Sequence, residues 1–161
     1  MTIRRLRPDD QEFLWDALYD AMYVPTGEEP PSREILRLPE ISCYAAGWMQ
    51  HPDDLGVIAE DGDTALGAAW LRCWRGSRRG FGFVDEATPE LSISVRASHR
   101  GRGIGTAMLR RVFSAAEKQY PAVSLSVSVS NPARRLYKRE GFVPVSRSED
   151  GAMTMVKVLG R

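Results

Sequence analysis

The stretch Leu91-Ser92-Ile93-Ser94-Val95, followed closely by Arg100-Gly101-Arg102-Gly103-Ile104-Gly105, decides how this chain folds. A strand over Glu90–Val95 runs into a glycine-rich, arginine-bearing turn and then into a helix. Ile104, Met108, Val112 and Ala116 fall four apart, with Leu109 and Phe113 beside them, which predicts an amphipathic helix. A helix start leaves backbone N–H groups without partners, and these point at whatever lies in front of them. Glycine allows positive φ and close approach of backbone to a ligand. Arginine adds fixed charge and planar donor geometry. The unit is therefore built to hold an anion.

Working outward, Thr2–Leu6 predicts a first strand and Pro8-Asp9-Asp10 the start of a helix, with Asp9 and Glu12 at capping-box spacing. Short helices are expected over 32–38 and 41–50. A hairpin follows, Leu55–Glu60 and Ala65–Trp74 around Asp61-Gly62-Asp63. After the long helix, expected over Gly103–Tyr120, Ala122–Val129 predicts a strand. Asn131-Pro132 opens a short helix that Gly141 closes. Phe142–Val145 and Ala152–Leu159 form a last strand pair. No repeat or linker divides residues 1–161, so a single domain is expected.

Twenty-two basic residues against 21 acidic give a net charge of +1, which argues against nucleic acid or a membrane surface as partner. No apolar run approaches the ~20 residues that cross a bilayer, and Met1–Arg5 lacks the apolar core of a signal peptide. A cytoplasmic location is the expectation. Cys43 and Cys73 lie in no CxxC and have no histidine nearby, so neither a disulfide framework nor a metal site is expected.

Two common phosphate-binding patterns fail. GxxxxGK[ST] does not occur. A dinucleotide fingerprint would need glycine where Thr106 stands and an acidic residue at the end of the next strand, which ends in Ser130. A second stretch, Asn131-Pro132-Ala133-Arg134-Arg135-Leu136-Tyr137-Lys138-Arg139-Glu140-Gly141-Phe142, follows the long helix and its strand. Together the two stretches resemble the acetyl-coenzyme A signature of the GCN5-related N-acetyltransferase (GNAT) superfamily. Val95 through Gly105 matches its valine and R/Q-x-x-G-x-G/A pattern, and Ala133 through Phe142 matches the A-x-x-x-Y-x-x-x-G-F part of N-x-x-A-x-x-x-Y-x-x-x-G-F, with Asn131 one position nearer to the alanine than in that pattern. The likeness is strong over residues 91–142 and rests on element order before that.

The resemblance implies an α/β fold with a mixed, mostly antiparallel central sheet flanked by helices, and acetyl-CoA as co-substrate. The N–H groups from Arg102 through Gly103, Ile104 and Gly105 to Thr106 would cradle a pyrophosphate, with Arg100 and Arg102 adding charge-assisted contacts and Gly101 shaping the turn. Ile93, Ser94 and Val95 would pair with the pantetheine arm in a slot opened by a bulge. Asn131 would contact the cofactor as well as cap its helix.

The implied chemistry is direct attack of a neutral amine on the thioester in a ternary complex. Backbone N–H groups near Val95 would stabilise the oxyanion. Tyr137 matches the position whose hydroxyl reaches the coenzyme A sulfur, where a phenol of pKa about 10 can supply a proton. Glu90 is the expected general base, with Glu86 and Asp85 as runners-up. The acceptor side falls on residues 20–50 and 75–90. Their aromatics (Tyr23, Tyr44, Trp48, Phe81, Phe83, with Tyr19 and Trp74 adjoining) and carboxylates (Glu28, Glu29, Asp85, Glu86) suit a small cationic amine. A protein or peptide amine is the rival acceptor, and a non-catalytic acyl-CoA sensor the rival function. Pairing of the last strands between two subunits, giving a homodimer, is compatible with the resemblance.

Overall fold

The computed structural model describes residues 1–160, which build one seven-stranded sheet in the order β1-β2-β3-β4-β5-β7-β6. The strands are β1 (Thr2–Arg5), β2 (Leu55–Asp61), β3 (Thr64–Arg72), β4 (Glu90–Val95), β5 (Ala122–Ser128), β6 (Val143–Arg147) and β7 (Ala152–Val158). The helices are α1 (Gln11–Ala21), α2 (Pro39–Ser42), α3 (Ile104–Ala116) and α4 (Arg134–Arg139). Neighbouring strands are antiparallel except β4 and β5, which are parallel and joined through α3. A parallel neighbour needs such a crossover. The expected mixed, mostly antiparallel sheet is present.

Strand alternation divides the core between two faces. On one face Leu91, Val123 and Leu125 pack under α3, which buries Ile104, Met108, Leu109, Val112, Phe113 and Ala116. On the other, Ile58, Ala68 and Trp70 pack against Leu14, Ala17 and Leu18 of α1 and against Tyr44 and Trp48. The Trp70 indole donates to the Tyr44 carbonyl at 2.8 Å, which fixes the segment after α2 on the sheet.

Local boundaries differ from expectation where side chains claim backbone groups. Asp10, not Asp9, organises the first helix: its carboxylate accepts the Arg7 N–H at 2.7 Å and pairs with Arg4 at 2.9 Å. The helix expected over 41–50 stops at Ser42. Gly47 and Met49 adopt left-handed backbone (φ 64° and 67°), while Gln11 and Asp54 take the Trp48 and Met49 N–H groups. The long helix ends at Ala116, whose carbonyl accepts both Gln119 and Tyr120. Asn131 caps a turn rather than α4 itself: its Oδ1 accepts the Ala133 N–H at 2.9 Å and the helix begins at Arg134.

β4 and β5 share one register pair, Glu90↔Ser124, and then separate. The β3–β4 ladder is regular from Gly67↔Val95 to Arg72↔Glu90, so the strands part without the expected bulge in β4. Divergence of β5 alone opens the slot.

Candidate active site

The gap between β4 and β5 becomes a cavity of about 790 Å³. Its walls come from both faces of the sheet. β4 contributes Ile93, Ser94 and Val95; the following turn and α3 contribute Arg100, Gly101, Gly103, Ile104, Gly105 and Thr106; the α4 segment contributes Asn131 and Tyr137. The end of α1 and the loop after it line the opposite side, with Tyr19, Asp20, Met22 and Tyr23. The cavity therefore passes through the sheet.

The β4 backbone is prepared for a partner. The Arg96 N–H bonds to Leu66 O at 2.8 Å, and hydrogen-bonded pairs alternate along an antiparallel ladder. Ser92 and Ser94 thus spend their backbone groups on β3, while those of Ile93 and Val95 face the side from which β5 has departed. Arg100 Nε donates to Val95 O at 3.0 Å, as that orientation requires.

The start of α3 is open. Gly103 is its N-cap in left-handed backbone (φ 80°) and offers no side chain to the first turn. The earliest helical bond is Ala107 N–H to Gly103 O, so the N–H groups of Ile104, Gly105 and Thr106 remain for a ligand. Arg100 lines the cavity beside them, and Arg102 does not. Arg102 is exposed on the same turn.

Tyr137 is buried on α4, with its ring edge-on to Phe142 at 5.9 Å. Burial alone pushes its hydroxyl up to about 12, so the phenol holds its proton at neutral pH. The cavity also holds His99, whose Nδ1 lies 2.8 Å from Ser98 Oγ.

The structure does not bring Glu90 into this cavity. It is 3% exposed, and its two oxygens accept Tyr44 Oη at 2.7 Å and Trp74 Nε1 at 2.9 Å. Burial raises its pKa against the pull of these donors. A Cβ on Gly82 would lie 2.7 Å from the Leu125 carbonyl carbon and 3.0 Å from Glu90 Cδ, so this loop is pressed onto β5 and seals the carboxylate in. Glu90, expected as the proton acceptor, does not line the cavity; its oxygens hold Tyr44 and Trp74 instead. Asp85 and Glu86 lie exposed outside the cavity, and Asp85 caps the Ala87 N–H at 2.9 Å.

Of the expected acceptor-side aromatics, Tyr19 and Tyr23 line the cavity, whereas Tyr44, Trp48 and Trp74 belong to the core. Glu28 and Glu29 are exposed and outside it. Tyr19 donates to Pro31 O, and Tyr23 donates to Ser130 O at 3.1 Å, which ties the α1 loop to the chain just beyond β5. Asp20, beside them, escaped the sequence reading; its one available signal was its place near the end of an amphipathic helix.

Among the described residues no group of three or more potential ligands could hold a metal ion, and no helix is long and apolar enough to cross a membrane. Both cysteines are free.

No curated protein matches this chain. Solved structures do. YncA of Salmonella typhimurium, solved with its cofactor acetyl-CoA, is 20% identical with a TM-score of 0.70, covering 100% of this chain and 95% of that one. The ribosomal-protein-S18-alanine N-acetyltransferase of Escherichia coli is 19% identical with a TM-score of 0.66, covering 99% and 94%. A spermidine N-acetyltransferase chimera of Vibrio cholerae SpeG and hSSAT is 20% identical with a TM-score of 0.62, covering 98% and 96%. At these identities the likeness is one of fold. The model of the acetyltransferase (GNAT) domain, however, matches residues 52–144, more than half of the sequence, and on that ground the chain belongs to the GNAT family of acetyltransferases.

Proposed function

We propose that this enzyme moves an acetyl group from acetyl-CoA to the primary amine of a small molecule by direct attack in a ternary complex. One observation carries the reading: a single cavity joins the open start of α3, Tyr137 and the freed β4 backbone on one face of the sheet to the α1 residues on the other. Donor and acceptor can then meet from opposite sides with no covalent enzyme intermediate.

The residues present fit coenzyme A. The first-turn N–H groups of α3 and Arg100 suit its pyrophosphate. The backbone of Ile93 and Val95 suits an extended amide-bearing arm, taken up as an added strand. Asn131 faces the same cavity with its amide nitrogen available, since its Oδ1 is held by Ala133. Bound acetyl-CoA supplies a thioester-activated acetyl group. A β4 N–H stabilises the acyl oxygen as it gains charge. The Tyr137 hydroxyl gives its proton to the departing sulfur and recovers one from solvent. The proton released by the amine goes to water on the acceptor side.

The test is thiol release from acetyl-CoA across a panel of small amines and peptide N-termini. Turnover with small amines, with intersecting double-reciprocal plots, supports the proposal. Turnover confined to peptides would reassign the acceptor. Acetyl-CoA-dependent thermal stabilisation with no thiol release from any amine would make the chain an acyl-CoA sensor.

A further inference from the structure

Asp20 is the single carboxylate among the residues lining the cavity. It has no ion pair among the described residues. Asp16, one helical turn earlier, is paired with Arg33 at 2.9 Å and faces Arg96 at 3.8 Å. Asp20 is also the penultimate residue of α1, at the negative end of the helix dipole, and the last turn carries no basic residue to offset it. A carboxylate in that place opposes the stability of its own helix. Two independent sources of negative potential, the side chain and the helix end, thus converge on the acceptor mouth. The cationic lining residues, Arg100 and Arg139, belong to the α3 and α4 side, so the cavity is polarised from one face of the sheet to the other.

The wall around Asp20 fits an aliphatic cation. Tyr19 is held by its hydroxyl on Pro31 O and Tyr23 by its hydroxyl on Ser130 O, so neither phenol offers a free donor that would compete for the carboxylate. Met22 and Val24 add apolar surface to the cavity lining.

From this we propose that Asp20 binds a second ammonium group of the acceptor, selecting diamines and related dications over monoamines of the same length. This rests on the acetyl-transfer reading above. One ammonium stays charged on Asp20 while the amine at the other end of the methylene chain loses its proton and is acetylated. Asp20 is a specificity residue here and takes no proton.

The experiment compares 1,5-diaminopentane with 1-aminopentane, by kcat/KM for thiol release and by calorimetric binding to the coenzyme A-loaded protein. The wild type should favour the diamine by about tenfold, the equivalent of one partly desolvated ion pair. Added salt should shrink the preference. Asp20→Asn should bring the ratio to about one, Asp20→Glu should restore part of it, and Asp16→Asn, outside the cavity, should keep it. Thermal melting of each variant verifies folding. A wild type that binds both amines equally, or an Asp20→Asn variant that still discriminates, overturns the proposal. Absence of thiol release with both amines would instead count against acetyl transfer, and the binding ratio would still decide the role of Asp20.

Discussion

Tyr44 and Glu90, 46 positions apart, meet at 2.7 Å inside the protein, and the same phenol oxygen accepts the Phe81 N–H at 2.7 Å. One hydroxyl thus joins the segment after α2, the start of β4 and the loop over β5. Tyr44→Phe should destabilise the fold by about 1–3 kcal/mol, since it leaves a buried Glu90 oxygen and the part-buried Phe81 N–H without their partner. Equilibrium denaturation measures this, and a change below about half a kcal/mol would show that the bond carries little weight.

The raised pKa of Glu90 predicts a pH slope of definite sign. Below the ordinary carboxylate value of 4.5 the group is neutral in both folded and unfolded chains. As pH rises, the unfolded chain ionises first while the folded protein keeps the proton, so stability falls until pH passes the raised folded value. Glu90→Gln removes this slope. Melting curves from about pH 4 to pH 8 should show wild type losing ground to the variant, whereas parallel curves would mean that the burial does not perturb the carboxyl.

Tyr137→Phe should lower kcat by about 100-fold or more if the phenol delivers the proton to sulfur. The melting temperature should barely move, because no hydrogen bond to protein is lost. With its hydroxyl near 12, Tyr137 should leave no alkaline limb in the wild-type rate profile at neutral or mildly basic pH. Full turnover in the variant would leave the residue a packing role.

Arg100 and Arg102 should differ although both stand in the turn. Arg100→Ala should raise the KM for acetyl-CoA by about tenfold or more, through loss of a charge-assisted contact. Arg102→Ala should change it by less than about twofold, as for an exposed charge. Equal effects would put both side chains on the ligand.

Gly82→Ala tests the close approach of the loop to β5. Its Cβ would meet backbone atoms at 2.7 and 2.9 Å, which cannot swing aside as a flexible side chain can. A loss of about 1–3 kcal/mol is expected, the range for overpacking a tight contact. An unchanged melting temperature would show that the loop lifts freely.

What could be read from the chain beforehand was what depends on near neighbours. Leu91–Val95, the glycine turn and the four-residue spacing of Ile104 to Ala116 carry their own signals, and the matching elements formed. The setting of Glu90 is hidden in the sequence because Tyr44 and Trp74, whose side chains hold its oxygens, are supplied by distant segments. That Arg100 and not Arg102 lines the cavity is hidden in the sequence because the direction of a side chain leaving a turn depends on φ, and Gly101 and Gly103 both adopt positive values. Asp20 went unnoticed because its importance arises only when the end of α1 is laid across the gap between two strands it does not adjoin in sequence.

That gap gives the sheet four borders instead of two. β1 and β6 end it on the outside, while β4 and β5 present a second pair to each other past Glu90↔Ser124. Internal borders of this kind are protected from other polypeptides by the helices on either side, yet they stay receptive to one extended molecule of the right width. Such a molecule, once seated, completes the architecture as an interior strand would. Ligand saturation and resistance to unfolding should therefore rise together by mass action.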